Sequence, residues 1–360
     1  MPEFLERMLR MFTSAPNMDK MGFLSSFFVT EDEDIVDAEM VDIDIVRSDE
    51  DVAPVLRDLK TGAVAIAEDY YTNKQVKPPI YSLEKPVNVF ELLKKQPGET
   101  EYAAIGTWIG RLMIVLKNAF TKMTTMIKYS IELQASQVLQ TGSLSLNDEN
   151  GNAAYILDYK PKATHFPTVT TAWNAAGADP LSDLAGLMDV VRDDGLVDVV
   201  NLIFGKTAWN DFIGTAKVQA AINRNGLLLG ALDPRLVGRG GKLMGYIDIG
   251  SYRVNLFTYN GRYRTYGTDT KAPFVGPSKV ILLPDIADLD FRLVFGGIPS
   301  IGLDAPFDQF LPDRVSINGA FDFRPRVYRD NKGDAYVGEV KSRPICIPVS
   351  IDRLACLTTR

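Results

Sequence analysis

His165, the chain's one histidine, is the first place to look for chemistry, because imidazole titrates near neutral pH and ligates metals. It lies in a Thr-rich stretch before Phe166-Pro167, with no Cys or His at ligand spacing, so it makes no zinc site. A Ser-His-Asp set needs a placed nucleophile, and no Gly-x-Ser-x-Gly elbow occurs. Gly238-Arg239-Gly240-Gly241-Lys242 has the glycine and lysine of a phosphate loop. However, Leu243 stands where the Walker pattern has Ser or Thr, and 243–249 reads as a strand rather than a helix. Asp193-Asp194 and the Asp285/Asp288 pair fall at element ends, where carboxylates act as caps and turn residues. Cys346 and Cys356 are too few for a disulfide scaffold. They could oppose each other if the tail folds back near Ile351, but free core-facing thiols in a reducing compartment are the expectation. The reading is therefore of no enzyme, with no catalytic, cofactor-binding or metal-ligating residue and no cofactor.

The elements that would have to position any site are more telling. From Ile105 onward, Ile109, Leu112, Leu116, Phe120, Met123, Ile127, Ile131, Ala135 and Val138 recur three and four apart. That spacing predicts one amphipathic helix over 99–141, roughly 60 Å long at 1.5 Å per residue. Ahead of it, Val76, Pro78, Pro79, Ile80, Pro86, Val87, Val89 and Phe90 are strand-like but carry too many prolines for a central strand. A protruding arm feeding a rod suits a chain whose contacts are with other chains.

Charge is unevenly spread. The net charge is −7, yet residues 31–51 hold eleven carboxylates against Arg47 alone, which leaves the remainder net positive. Val41, Ile43 and Ile45 alternate with Asp42 and Asp44, the pattern of a strand with one wet face. Such a strip reads either as a solvated edge guarded by charge or as a dock for basic arms of neighbouring subunits. The basic clusters (Arg235, Arg239, Lys242; Arg262, Arg264; Arg324, Arg326, Arg329) are scattered and form no phosphate-tracking stripe, so sequence-specific DNA binding is not expected. Hydrophobic residues make up 46% of 360, enough for one or two cores, and no apolar run is long enough to span a bilayer. Residues 1–28 do not read as a signal peptide; Phe4, Leu5, Met8, Leu9 and Phe12 predict a short amphipathic helix that docks on protein.

Further along, 142–151 is a polar loop and 154–159 a short strand. Asp179 caps a helix with Pro180 at its first position and Gly195 at its end. A buried strand at 197–204 and a helix at 207–224 follow, then a Gly-rich loop at 238–245. Asn260-Gly261 predicts a type I′ hairpin over 252–266. A strand at 279–283 ends at Pro284, and 296–313 is loop. Strands at 320–328, 335–340, 345–349 and 354–357 close the pattern and are expected to return to the long helix, making a discontinuous domain.

This order of parts resembles the lambda-type (protein E family) major capsid proteins of tailed phages, which have the Hong Kong 97 capsid fold. The likeness covers essentially the whole chain. It is carried by Met21-Gly-Phe-Leu-Ser-Ser-Phe-Phe28, by Asp51-Val-Ala-Pro-Val-Leu-Arg-Asp-Leu-Lys-Thr-Gly-Ala-Val64, and by Val76-Lys-Pro-Pro79 as a returning limb. The helix from Glu101, Phe204-Gly-Lys-Thr-Ala-Trp-Asn-Asp-Phe212 and Arg343-Pro-Ile-Cys-Ile-Pro-Val-Ser-Ile-Asp352 add to it. The resemblance implies an α+β chain with an N-terminal arm (1–56) and an extended β-hairpin loop (57–98). It further implies a peripheral domain with a spine helix (99–177 and 316–360) and an axial domain (178–315). It implies a shell subunit whose main partner is itself, in hexamers and pentamers around double-stranded DNA. Scaffold, portal and decoration proteins would be further partners, and no membrane is involved. Assembly in the host cytoplasm and residence in the virion follow from the same likeness. Two rival readings are an encapsulin-like compartment of the same fold and an enzyme built around His165.

Overall fold

The computed structural model describes residues 22–36, 38, 40–47, 70–88, 108–148, 151–222, 230–236, 240–265, 267–298, 323–330 and 335–360. Among the described residues, three strands precede the long helix: β1 Val41–Arg47, β2 Tyr70–Val76 and β3 Tyr81–Asn88. β1 and β2 form an antiparallel ribbon whose base, Val41 opposite Val76, is buried. The long helix, α1, runs over Trp108–Thr141. The part expected over 99–107, the short helix expected near Phe4–Phe12 and the loop expected over 299–313 lie outside the described residues. Gly142, at φ +62°, takes the left-handed position after α1 and donates its N–H to Val138 O at 2.8 Å.

Every stripe residue whose side chain is described, from Leu112 to Val138, is buried. Leu116 and Phe120 pack on Gly338, where an added Cβ would lie 3.0 Å from Leu116 Cδ2. The helix therefore meets strand Ala335–Ser342 at this point, and the strand that begins at Pro344 meets its second half, as the return of the C-terminal strands requires. The two halves of α1 differ. Up to Lys122 it is amphipathic with an open face, whereas from Ile131 to Gln140 eight of ten residues are buried. A hairpin, β4 Ser143–Asn147 with β5 Ala153–Asp158, follows directly.

Next come α2 Pro180–Gly195, β6 Asn201–Phe204, α3 Lys206–Gly214 and α4 Ala216–Ile222. Asp179 caps α2 as expected, but the left-handed residue at its end is Leu196 (φ 58°), one position beyond Gly195. The single helix expected over 207–224 is two, broken at Thr215, whose backbone is extended. β7 Gly230–Leu236, β8 Gly241–Ile249 and β9 Tyr252–Tyr259 are followed by β10 Arg262–Arg264, β11 Lys271–Pro273 and β12 Lys279–Leu283. Two expectations fail here. The Gly-rich segment expected to be loop enters β8 at Gly241, and Asn260-Gly261 does not turn a hairpin. β9 pairs with β8 through the Gly250-Ser251 turn, while β10 pairs with β11. Gly241 can join a strand because the Phe23 ring lies where a Cβ would sit, 2.6 Å from Cδ2, and the register slips between Leu243 and Gly245.

The chain ends with α5 Ile286–Leu289, β13 Phe291–Phe295, β14 Arg324–Asp330, β15 Ala335–Ser342, β16 Pro344–Pro348 and β17 Ala355–Thr358. The largest sheet has the order β17-β12-β6-β9-β8-β7, with β6 and β9 parallel. It separates two cores. Ile203, Ile281, Leu283 and Cys356 face the α1 core, while Leu202, Phe204, Val280, Leu282, Ala355 and Leu357 face the α2/α3 core. A sheet covered on both faces explains why these strands read as unbroken apolar runs. β17 thus belongs to the sheet of the 178–315 region and does not close on the helix alone.

A second sheet has the order β14-β15-β3. The proline-rich arm suits contacts with other chains, yet inside its own subunit β3 pairs along its whole length with β15. It does so as an edge strand, which is where Pro86 can be tolerated.

Candidate functional site

The buried second half of α1 carries four polar side chains that tie distant segments together: Glu132, Gln134, Ser136 and Gln140. Glu132 is 2% exposed. Its Oε1 accepts from Leu24 N at 2.8 Å and from Tyr259 Oη at 2.7 Å, and its Oε2 accepts from Ser25 N at 2.9 Å. All three partners are donors, which matches a carboxylate's capacity as an acceptor. Burial, and then the charge of Glu132, push the Tyr259 hydroxyl far above its ordinary value of 10.0. Gly22 passes so close that a Cβ there would fall 2.3 Å from the carboxylate, so a side chain at this position would push Glu132 off its three donors.

The aromatic segment after Gly22 completes this joint. Phe23 packs on Phe257 and Tyr259 at 5.5 and 5.6 Å, and Phe28 packs on Phe291 at 5.3 Å. The chain then runs along β13: Val29 N donates to Phe291 O, Leu293 N to Val29 O and Val36 N to Phe295 O. Part of the acidic strip is used inside the subunit. Arg292 lies 3.5 Å from Asp34 and 3.9 Å from Glu31.

Gln134, fully buried, donates to Tyr81 Oη at 3.0 Å and to Pro344 O at 3.2 Å, and accepts from Cys346 N at 3.3 Å. It ties β3 and β16 to one point on α1. Arg343 adds a second tie, donating to Pro78 O and Gly297 O. Gln140 donates to Phe274 O at 2.9 Å and accepts from Gly276 N at 2.8 Å, and Ser136 donates to Phe274 O. The N-terminal segment, the root of the arm and the six-stranded sheet all converge here.

The residues weighed for chemistry stand elsewhere. His165 is buried, with Nδ1 2.7 Å from Leu354 O and Nε2 3.0 Å from Asp194 Oδ2. Both ring nitrogens hold structural partners. Lys162 donates to the other oxygen of Asp194 at 2.8 Å. Burial would raise the Asp194 pKa, but the bonds from Lys162 and His165 outweigh it and hold the carboxyl below its ordinary 3.8. Asp285 caps α5, as a turn carboxylate does. Cys346 and Cys356 are buried free thiols whose pKa values burial pushes up, that of Cys356 to about 12. Arg239 lies outside the described residues. Glu132 went unremarked in the sequence because it sits off the apolar stripe of α1; its one signal is that it is the only acidic residue between Trp108 and Thr141.

Comparison with known proteins agrees with this architecture. The family model described as "Phage major capsid protein E" matches residues 4–359. In structure the chain is similar to the protein assigned as the capsid protein of a prophage of E. coli CFT073. The two are 16% identical, with a TM-score of 0.67, covering 100% of this chain and 99% of that one. Looser likenesses include a structure from Gordonia phage Cozz (11% identity, TM-score 0.47, covering 94% and 86%). Another is the encapsulin complex from Synechococcus elongatus PCC 7942 (13% identity, TM-score 0.43, covering 97% and 93%). No curated protein matches the chain in sequence.

Proposed function

Because the chain belongs to the phage major capsid protein E family, we propose that it builds the icosahedral head shell of a tailed phage, as hexamers and pentamers enclosing double-stranded DNA. It is a capsid protein, structural rather than catalytic, and its place is the virion. The observation that carries the proposal is the family match over residues 4–359. The joint at Glu132 and Gln134 supports it. Shell subunits exchange arms, and an arm can brace a neighbour only if its root is fixed in its own subunit. Here the roots of two extended segments are pinned to one rigid helix. Shell stability in this reading comes from many moderate interfaces between subunits rather than one large one.

In this reading 1–56 is the N-terminal arm and 57–98 the extended loop, with Tyr81–Asn88 as the loop's anchored limb. Residues 99–177 and 316–360 form the peripheral domain, with β17 lent to the axial sheet, and 178–315 form the axial domain. Scaffold, portal and decoration proteins are the expected partners, and assembly takes place in the host cytoplasm. Electron microscopy of the concentrated protein, with and without its scaffold, tests the proposal: closed shells, rings or tubes are expected. Monomers alone under every salt and scaffold condition would overturn it.

A further inference from the structure

Three stretches far apart in sequence meet at the chain's one histidine. Lys162 and His165 come from the first, and Asp194, in the last turn of α2, from the second. Asp352 and Leu354 come from the third, the turn at Ile351–Arg353 that leads into β17. A Cβ on Gly195 would lie 2.7 Å from Asp352 O and 3.0 Å from Arg353 Cα, so the end of α2 is pressed on that turn. His165 is 1% exposed, and each ring nitrogen faces an oxygen. Nδ1 lies 2.7 Å from the Leu354 carbonyl and Nε2 3.0 Å from the Asp194 carboxylate. Both oxygens are acceptors. A neutral imidazole carries one N–H and can serve one of them; only the imidazolium donates to both. The charges around the ring fit a cation. Lys162 donates to Asp194 Oδ1 at 2.8 Å and stands 3.8 Å from Oδ2 of the buried Asp352. With the ring charged, two cations face two carboxylates; with it neutral, Lys162 alone must serve both. Of the flanking charges, Asp193 is exposed and Arg353 donates to Asp288 O at 2.6 Å.

We infer that His165 is a proton-operated clasp: charged, it holds the end of α2 to the turn before β17, and on losing its proton it releases that turn. The turn is the side that goes, because the carboxylate is the stronger acceptor and keeps the remaining N–H. The Nδ1 lone pair is then left 2.7 Å from the Leu354 carbonyl oxygen, a repulsive contact in a buried place. Both contacts favour the charged ring, so the clasp holds while the proton is present and opens as pH rises through the ring's titration. β17 follows Leu354 directly and forms one edge of the six-stranded sheet. Its outer side is bonded to the segment just after His165: Thr358 N donates to Pro167 O, and Val169 N to Thr358 O. Opening the clasp therefore loosens the start of this edge strand. The device belongs to the single subunit and does not depend on the shell reading.

The test uses the full-length protein labelled with heavy nitrogen at histidine alone; with one histidine in the chain, the ring signals can come from no other residue. Their NMR shifts, read in solution or under magic-angle spinning for assembled particles, report which ring nitrogens carry protons. The titration runs from about pH 5 to about pH 8, the range in which an imidazole changes charge. Both nitrogens should be protonated at the acid end and one at the other. Hydrogen exchange over residues 351–358, corrected for its intrinsic pH dependence, should quicken in step. The expected change is about tenfold, the worth of one hydrogen bond to a charged group. His165→Gln should lack the step. Asp194→Asn keeps the ring and should lose its ring proton at lower pH than the natural chain. A ring that holds one charge state throughout overturns the inference, as does a ring that titrates with no change in exchange at 351–358. An Asp194→Asn ring that titrates together with the natural one overturns it too.

Discussion

Tyr259 donates its hydroxyl to Glu132 Oε1 at 2.7 Å, joining β9 to the second half of α1 across 127 residues of sequence. Two backbone N–H groups of the N-terminal segment share the same carboxylate. One side chain thus settles where the helix, the sheet and the aromatic segment meet.

Glu132→Gln keeps the shape of this joint but replaces an acceptor oxygen with an NH2 group that faces a donor. The expected loss is roughly 2–3 kcal/mol, against roughly 1–2 kcal/mol for Tyr259→Phe, which removes one charge-assisted bond of the three. Urea unfolding followed by circular dichroism measures both. If Glu132→Gln proves neutral, the carboxylate does not hold the joint.

Leu116 is completely buried against Gly338, while Lys117 beside it is exposed. Leu116→Asp buries an unpaired carboxylate at a cost of several kcal/mol, comparable to the whole stability of many domains, and should misfold. Lys117→Ala should fold normally. Size exclusion and circular dichroism separate the two outcomes, and a well-folded Leu116→Asp protein would contradict the packing described here.

Deleting Tyr81–Asn88 should destabilise the subunit as well as block assembly. It strips the edge strand from β15, removes the Tyr81 partner of Gln134 and exposes a new sheet edge to aggregation. The soluble fraction after expression, followed by thermal melting, is the readout. A soluble deletion variant with an unchanged melting temperature would return the arm to a purely intermolecular role.

The Asp194 carboxyl is held below its ordinary 3.8 in the folded chain. Its contribution to stability is therefore present above about pH 4 and is lost as pH falls through the depressed folded value. Urea midpoints taken from neutral pH down to acid should fall more steeply for the natural chain than for Asp194→Asn. Parallel curves would show that Lys162 and His165 do not act on this group in solution.

The long helix was legible because its apolar period is unbroken, and the cap at Asp179 because its residue types admit little else. Other elements obeyed information that lies far away in the sequence. Gly241 looks like a loop residue until Phe23 is seen filling the space of its missing side chain. Asn260-Gly261 has the chemistry of a tight turn, but Asn260 N bonds to Gly240 O and Gly261 accepts from Phe274 N, so tertiary pairing overrides the local preference. The Glu132 joint was hidden for the same reason. No local pattern marks a carboxylate whose donors come from Leu24, Ser25 and Tyr259. β3 was legible as an edge from its prolines, but the strand it borders, β15, lies hundreds of residues away.

The six-stranded sheet is a party wall: alternate residues of β12 and β17 belong to different cores. Neither core can melt without stripping one face of the same strands, so the subunit has no cheap hinge between its halves. Heating should therefore produce one calorimetric transition instead of two, with the calorimetric and van't Hoff enthalpies in agreement. In the proposed shell, a push on one core would be passed through shared backbone to the other, and strain would escape at the seams between subunits.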